Sequence, residues 1–194
     1  MVRLGITGGI GSGKTTVCTY FNFMKVPSYS ADARAKYLME HNEELKNSIC
    51  ELLGAGCFNE YQRLNRQYIA DIVFNDTEKL EALNTLVHPV VRTDYDLWCK
   101  EMEANGCTSC LMESALLVEN GMYKNLDKLI VVTASMDNRI QRVMNRDDIS
   151  EEQVKARINA QLPESEKLKV ADFVINNDNR MEVLSQVISI LSKI

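Results

Sequence analysis

The sequence predicts an α/β fold, a parallel sheet whose strands are joined by helices, and three observations predict it. Short apolar runs of strand length recur at 2–7, 110–114, 128–134 and 172–176. Helical spacings of apolar residues separate them, as in sheets built from crossover units. A glycine-rich stretch, "GGIGSGKTT" at 8–16, lies between the first run and the first helical pattern.

In chain order, "VRLGIT" at 2–7 is a short buried strand and "KTTVCTYFNFM" at 14–24 the helix after it. A second strand, "VPSYSA", ends at Asp32. From 33 to about 104 no strand pattern stands out: "ARAKYLMEH", "EELKNSICELLG", "NRQYIADIVF", "EKLEALNTLV" and "VVRTDYDLWCKEMEANG" each carry helical spacing. Strands resume at "CLMES", "KLIVVTA" and "DFVIN", and "MEVLSQVISILSKI" is the closing helix. The stretch 136–162 is polar. In it Ser150 and Gln153 are spaced as a capping box, and Arg139, Arg142 and Arg146 fall on one helical face.

The composition suits one compact folded unit with a sizeable core: 194 residues, 45% hydrophobic and 25% charged. A net charge of -5 argues against broad nucleic-acid binding, which needs a basic excess, so any anion site must be local. No apolar run is long enough to span a membrane, and a cleaved leader would carry away the glycine stretch, so a cytoplasmic protein is expected. The six cysteines are then expected to be reduced. Cys107-x-x-Cys110 has no second pair and no nearby histidine, and it reads as filler at a strand start rather than a metal or redox site. Nothing in the pattern speaks to oligomeric state.

The glycine stretch fits G-x-x-x-x-G-K-[ST] with Gly8, Gly13, Lys14 and Thr15. A strand turning tightly into a helix leaves unpaired amides and a helix dipole facing outward, where a polyphosphate settles. Lys14 supplies a flexible cation for the terminal phosphates, and the Thr15 hydroxyl can join a Mg²⁺ shell. A nucleoside triphosphate is the natural ligand. The chain has no N-K-x-D, no D-x-x-G and no L-S-G-G-Q, and "LIVVTA" lacks the acidic end of a usual ATPase strand. Hydrolytic switches therefore lose ground to kinases of small molecules, which need a group at the acceptor hydroxyl and cations that close over the phosphoryl group. Asp32, at the carboxyl end of a strand, is either that group or a cap for the helix at 33–39. The arginine face at 139–146 is either the clamp or a solvated surface. A kinase of another hydroxylated metabolite and a nucleotide-binding sensor stay open on these residues alone.

Longer stretches narrow the choice. "GITGGIGSGKTTV", "SADARAKYL", "LNRQYIADIVF", "LVHPVVR", "ALLVE", "RVMNRDDIS" and "AQLPESEKLKVADFVINND" occur in an order and spacing that resemble the dephospho-CoA kinases nearly end to end. These enzymes use ATP to phosphorylate the ribose 3′-hydroxyl of dephospho-CoA, the last step of coenzyme A biosynthesis. The resemblance implies a nucleotide-binding core with a five-stranded sheet at about 1–32, 106–135 and 171–194. It also implies a helical substrate-binding insertion at about 33–105 and a helical lid at about 136–165. It implies ATP contacts from Gly11, Ser12, Gly13, Lys14, Thr15, Thr16, Arg142, Arg146 and Asn177, with Lys14 and Arg142 acting in catalysis beside Asp32 as base. For the acceptor it implies Asp32, Arg66, His88 and Glu119, and for Mg²⁺, Thr15. His88, before Pro89, could instead pack a helix junction, Glu119 could be a surface carboxylate, and Lys167 could pair with Asp172. Three positions depart from the family pattern: Ser30 where Asp is frequent, Ala115 for Pro, and Arg139 where Gln is usual.

Overall fold

Five strands, all parallel, form one sheet in the order β2-β3-β1-β4-β5: β1 (Val2–Thr7), β2 (Ser28–Ser30), β3 (Ser109–Glu113), β4 (Lys128–Thr133) and β5 (Phe173–Asn176). The computed structural model describes residues 1–74, 76–178 and 183–194. Of the closing pattern "MEVLSQVISILSKI", Met181 and Glu182 lie outside the described residues, and the helix α9 is Val183–Leu191.

The chain divides into two units, Met1–Ser30 with Met102–Ile194, and Ala31–Glu101. In the first, the central strands β1, β3 and β4 are apolar and buried, as parallel strands covered on both faces must be. Leu4, Ile6, Leu111, Ile130 and Ile175 join Val17 and Phe21 of α1 (Lys14–Phe23) and Val187 of α9 in one core cluster. The three-residue β2, flanked by Ser28 and Ser30, is an edge strand, and short polar edges resist pairing with other chains.

The sheet order decides which strand end stands beside the glycine loop. The strand beside the glycine loop's own β1 is β3, and β2 lies beyond it. Local pattern carries no strand order, because pairing is decided by crossover packing rather than by any one strand's sequence.

The second unit is helical: α2 (Ala31–His41), α3 (Glu43–Leu53), α4 (Arg66–Phe74) and most of α5 (Thr77–Ala104). Asn42 caps α3 by accepting a hydrogen bond from Leu45 N at 2.9 Å. Arg34 holds Asp94 through two bonds, 2.9 and 2.6 Å, tying α2 to α5. The two helical patterns on either side of His88 and Pro89 are one 28-residue helix, so the expected junction there is absent. Proline deletes one backbone bond inside a helix and costs about 3 kcal/mol. Burial offsets it: Leu83, Val87, Val91, Tyr95 and Cys99 recur every four residues as a continuous buried stripe through the proline.

In the first unit the chain continues with α6 (Met136–Asp147), α7 (Glu151–Asn159) and α8 (Glu164–Lys169). The capping box at Ser150 and Gln153 is formed, both bonds present. Ile140, Val143 and Val154 make a small cluster of their own between α6 and α7. Among the described residues, no helix is long and apolar enough to cross a membrane.

Candidate active site

The loop from Gly8 to Gly13 connects the end of β1 to the start of α1. Gly13 takes the N-cap place at φ 87°, a left-handed conformation that costs glycine little, and no side chain caps the helix. The first amides of α1 precede the intrahelical ladder, as at any helix start, and a glycine loop leading into such a start is the makeup of an anion site. Lys14 folds back so that Nζ donates to the carbonyls of Gly8 (2.9 Å) and Gly9 (3.4 Å), holding its charge over the loop. Thr15 and Thr16 are exposed on the first turn.

Thr15 Oγ1 donates to Glu113 Oε1 at 2.9 Å. Glu113 ends β3, the strand beside β1, so a carboxylate does stand at a strand end next to the phosphate loop. The acidic strand end that "LIVVTA", which is β4, lacks stands on β3 instead, and its signal in the sequence is the acidic last residue of "CLME". Cys18, one turn after Lys14, is buried against this carboxylate. Burial first, then the charge of Glu113, pushes its thiol well above the usual range, which makes it an inert neutral neighbour.

The three arginines of α6 divide their work. Arg139 is 6% exposed, and its Nε donates to Ile10 O at 3.0 Å, with Nη1 3.7 Å from Glu164. It packs under the loop and so is not part of an open clamp. Burial pushes the Glu164 carboxyl up from its ordinary value, against the pull of Arg139 and Lys167. Arg142 reaches the loop as well, donating to Gly11 O (3.3 Å) and to Asn177 O (2.7 Å). Arg146 is exposed and held by Asp147 through bonds of 2.7 and 3.0 Å, and Arg157 joins the same carboxylate at 2.7 Å. The Arg146 hydrogen bonds, foremost, hold Asp147 below the usual carboxylate range.

Asn177, just past β5, donates from Nδ2 to Ser12 O at 2.8 Å and is 9% exposed. It thus braces the loop backbone at Gly13, where a Cβ would stand 2.1 Å from its nitrogen. Asp178 follows and accepts from Ser135 N, Ser135 Oγ and Asn138 Nδ2 at the start of α6. The Ser135 amide is the main cause of its lowered carboxyl value.

Glu119 pairs with Lys167 at 2.6 Å, and Lys167 Nζ, fully buried, also donates to Ala115 O at 3.0 Å. The expected Lys167–Asp172 pair is replaced by this one. Asp172 instead takes Lys128 at 2.8 Å and the amide of Leu129. The two carboxylates were indistinguishable in sequence because neither lies at a fixed helical offset from Lys167.

In the helical unit, Asp32 is exposed and sits in the first turn of α2, one residue inside the helix rather than capping it from outside. β2 ends at Ser30, level with Glu113 across the sheet, and Asp32 follows two residues on. Arg66 is the exposed first residue of α4, and His88 is half-buried on α5, where burial lowers the imidazole's value and favours the neutral ring. Cys107 and Cys110 form no disulfide, and among the described residues no group of three metal-ligating side chains gathers.

Comparison with known proteins places this arrangement. Residues 2–182 match the model of the dephospho-CoA kinase family. The chain is 39% identical to the dephospho-CoA kinase of Salinibacter ruber, over 95% of its own length and 92% of that protein's. The crystal structure of TT1252 from Thermus thermophilus superposes with a TM-score of 0.85 at 35% identity, covering 100% of this chain and 97% of that one. The dephospho-CoA kinase from Campylobacter jejuni does so at 0.71 and 29%, covering 98% and 97%. A glycine loop with its lysine, a carboxylate on the adjacent strand end and arginines bound to the loop are thus joined to matches along nearly the whole sequence, and this chain belongs to the dephospho-CoA kinase family.

Proposed function

We propose that this chain transfers the γ-phosphoryl group of ATP to the ribose 3′-hydroxyl of dephospho-CoA, giving CoA and ADP, the last step of coenzyme A synthesis, in the cytoplasm. The observation that carries the reading is the uncapped start of α1 under Gly13, with Lys14 drawn over the loop, in a member of this family. Lys14 and the amides of Gly11 to Thr16 are assigned to the phosphates, and Arg142 and Arg146 to the charge that develops on the transferring group. Asn177 is assigned to the nucleotide by way of the loop backbone it braces.

The residues present fit a magnesium ion: a hydroxyl and a carboxylate already in contact are hard oxygen donors of the kind that ion takes beside nucleotide phosphates. Thr15 and Glu113 would hold it, and when bound it neutralises charge on the phosphate oxygens. Glu113→Gln should raise the Mg²⁺ concentration for half-maximal rate about tenfold, within the range by which metal-orienting partners act. A Mg²⁺ titration of both proteins at saturating ATP checks this, and coincident curves would remove Glu113 from the metal site.

Asp32 is assigned as the group that orients or deprotonates the acceptor hydroxyl, with Arg66, His88 and Glu119 holding other parts of dephospho-CoA. On this reading the helices at about 33–105 form the substrate-binding insertion, and about 136–165 forms the lid. In-line geometry then supplies much of the rate, since a bound hydroxyl needs no further search for its partner.

The direct test is conversion of dephospho-CoA to CoA by the purified chain with Mg²⁺ and ATP, followed by chromatography and ADP release. Other hydroxylated acceptors run in parallel. Faster ADP release with an acceptor lacking the dephospho-CoA skeleton would overturn the substrate, and no acceleration by any acceptor would overturn the kinase.

A further inference from the structure

Ile10 is the one large side chain between Gly8 and Gly13, and it is held at three points by the segment 136–161. Its side chain packs against Ile140, Val143 and Val154. Its amide donates to Gln161 Oε1 at 2.8 Å, and its carbonyl accepts from Arg139 Nε at 3.0 Å. The backbone fits as closely: a Cβ on Gly9 would stand 2.2 Å from Arg139 Nη2, and one on Gly11 2.5 Å from the Arg139 carbonyl oxygen.

In a trans peptide the C=O and the N–H of one plane point in opposite directions. Among the described residues there is no cis peptide. Gln161, by holding the Ile10 N–H, turns the Gly9 carbonyl the other way, and there it accepts from Ser12 N (3.1 Å) and from Lys14 Nζ (3.4 Å). Arg139, by holding the Ile10 carbonyl, turns the Gly11 N–H away from itself. Two side chains from outside the loop therefore set two consecutive peptide planes within it.

We infer that Gln161 and Arg139 are positioning residues for triphosphate binding: they fix the amide and carbonyl directions of the loop, and with them the resting place of the Lys14 ammonium, without touching the nucleotide. This rests on the loop holding ATP. Gln161 lies between α7 and α8, so the inference also couples that segment to nucleotide affinity through one residue of the loop. No motif pattern marks Gln161 for this role, because the contact joins positions 151 residues apart.

The test compares Gln161→Met, which keeps length and loses the acceptor, with Gln161→Glu, which keeps an acceptor oxygen. Mg²⁺-ATP binding is measured by calorimetry, and initial rates are measured against ATP and dephospho-CoA separately. Gln161→Met should weaken ATP binding and raise its KM about tenfold, the factor that one hydrogen bond to a part-buried amide carries. The KM for dephospho-CoA should stay within about twofold, and Gln161→Glu should recover most of the ATP affinity. Equal loss in both variants, equal loss toward both substrates, or unchanged ATP binding in Gln161→Met would each overturn the inference. Failure of the underlying reading looks different: the unsubstituted chain would itself not bind Mg²⁺-ATP.

Discussion

Asp32→Asn should slow turnover by about 10²- to 10⁴-fold, the usual contribution of a positioned acid–base group, while ATP affinity stays close to that of the unsubstituted chain. The separation follows from where the residue sits. Asp32 is exposed in the first turn of α2, where the meeting of a carboxylate with a helix N-terminus contributes about 0.3–1 kcal/mol. Asparagine keeps the shape and the polarity and gives up the charge. A drop in rate of about 3–5 kcal/mol would therefore exceed anything the helix end can account for. Single-turnover rates with dephospho-CoA and ATP, together with a calorimetric ATP titration and a thermal melt, separate the three quantities. Retained turnover with a lowered melting temperature would make Asp32 a helix-end residue and would move the acceptor's base elsewhere.

What the sequence made legible was local, and what it hid was long-range. β1, the turn at Gly13 and α1 were readable because one strand period, one glycine pattern and one helical period adjoin there. The capping box at Ser150 was readable because its two partners lie three residues apart. Glu113 was not, since its meaning comes from β3 pairing with β1, a choice made by packing across about a hundred residues. The arginine face misled for a related reason. Helical spacing placed Arg139, Arg142 and Arg146 together, but the glycines of the loop leave room for a guanidinium beneath them, so Arg139 is buried while Arg146 remains in solvent with Asp147. Proline makes a helix junction at His88 one of two readings of the sequence, and a stripe of five buried side chains carries the helix through it.

Lys167→Met should lower stability by about 3 kcal/mol, and a second change at Glu119 should return most of it. A lysine with no exposed surface is costly to place, and here two acceptors stabilise it: Glu119 at 2.6 Å and the Ala115 carbonyl at 3.0 Å. Removing one partner of a covered ion pair leaves the other charge uncompensated, and the Glu119 side chain, 20% exposed, has little water to turn to. For a chain of this length that loss is about 6–12 °C in melting temperature. Replacing both residues, Lys167→Met with Glu119→Leu, removes the stranded charge along with the pair, and such swaps are often neutral. Stability and activity then part company. If Glu119 touches dephospho-CoA and Lys167 serves to hold it, the double variant regains its melting temperature but keeps a raised KM for dephospho-CoA. If melting temperature and KM both return, Glu119 is a structural partner only, and the acceptor is held by the helical unit's own residues, Arg66 and His88 among them.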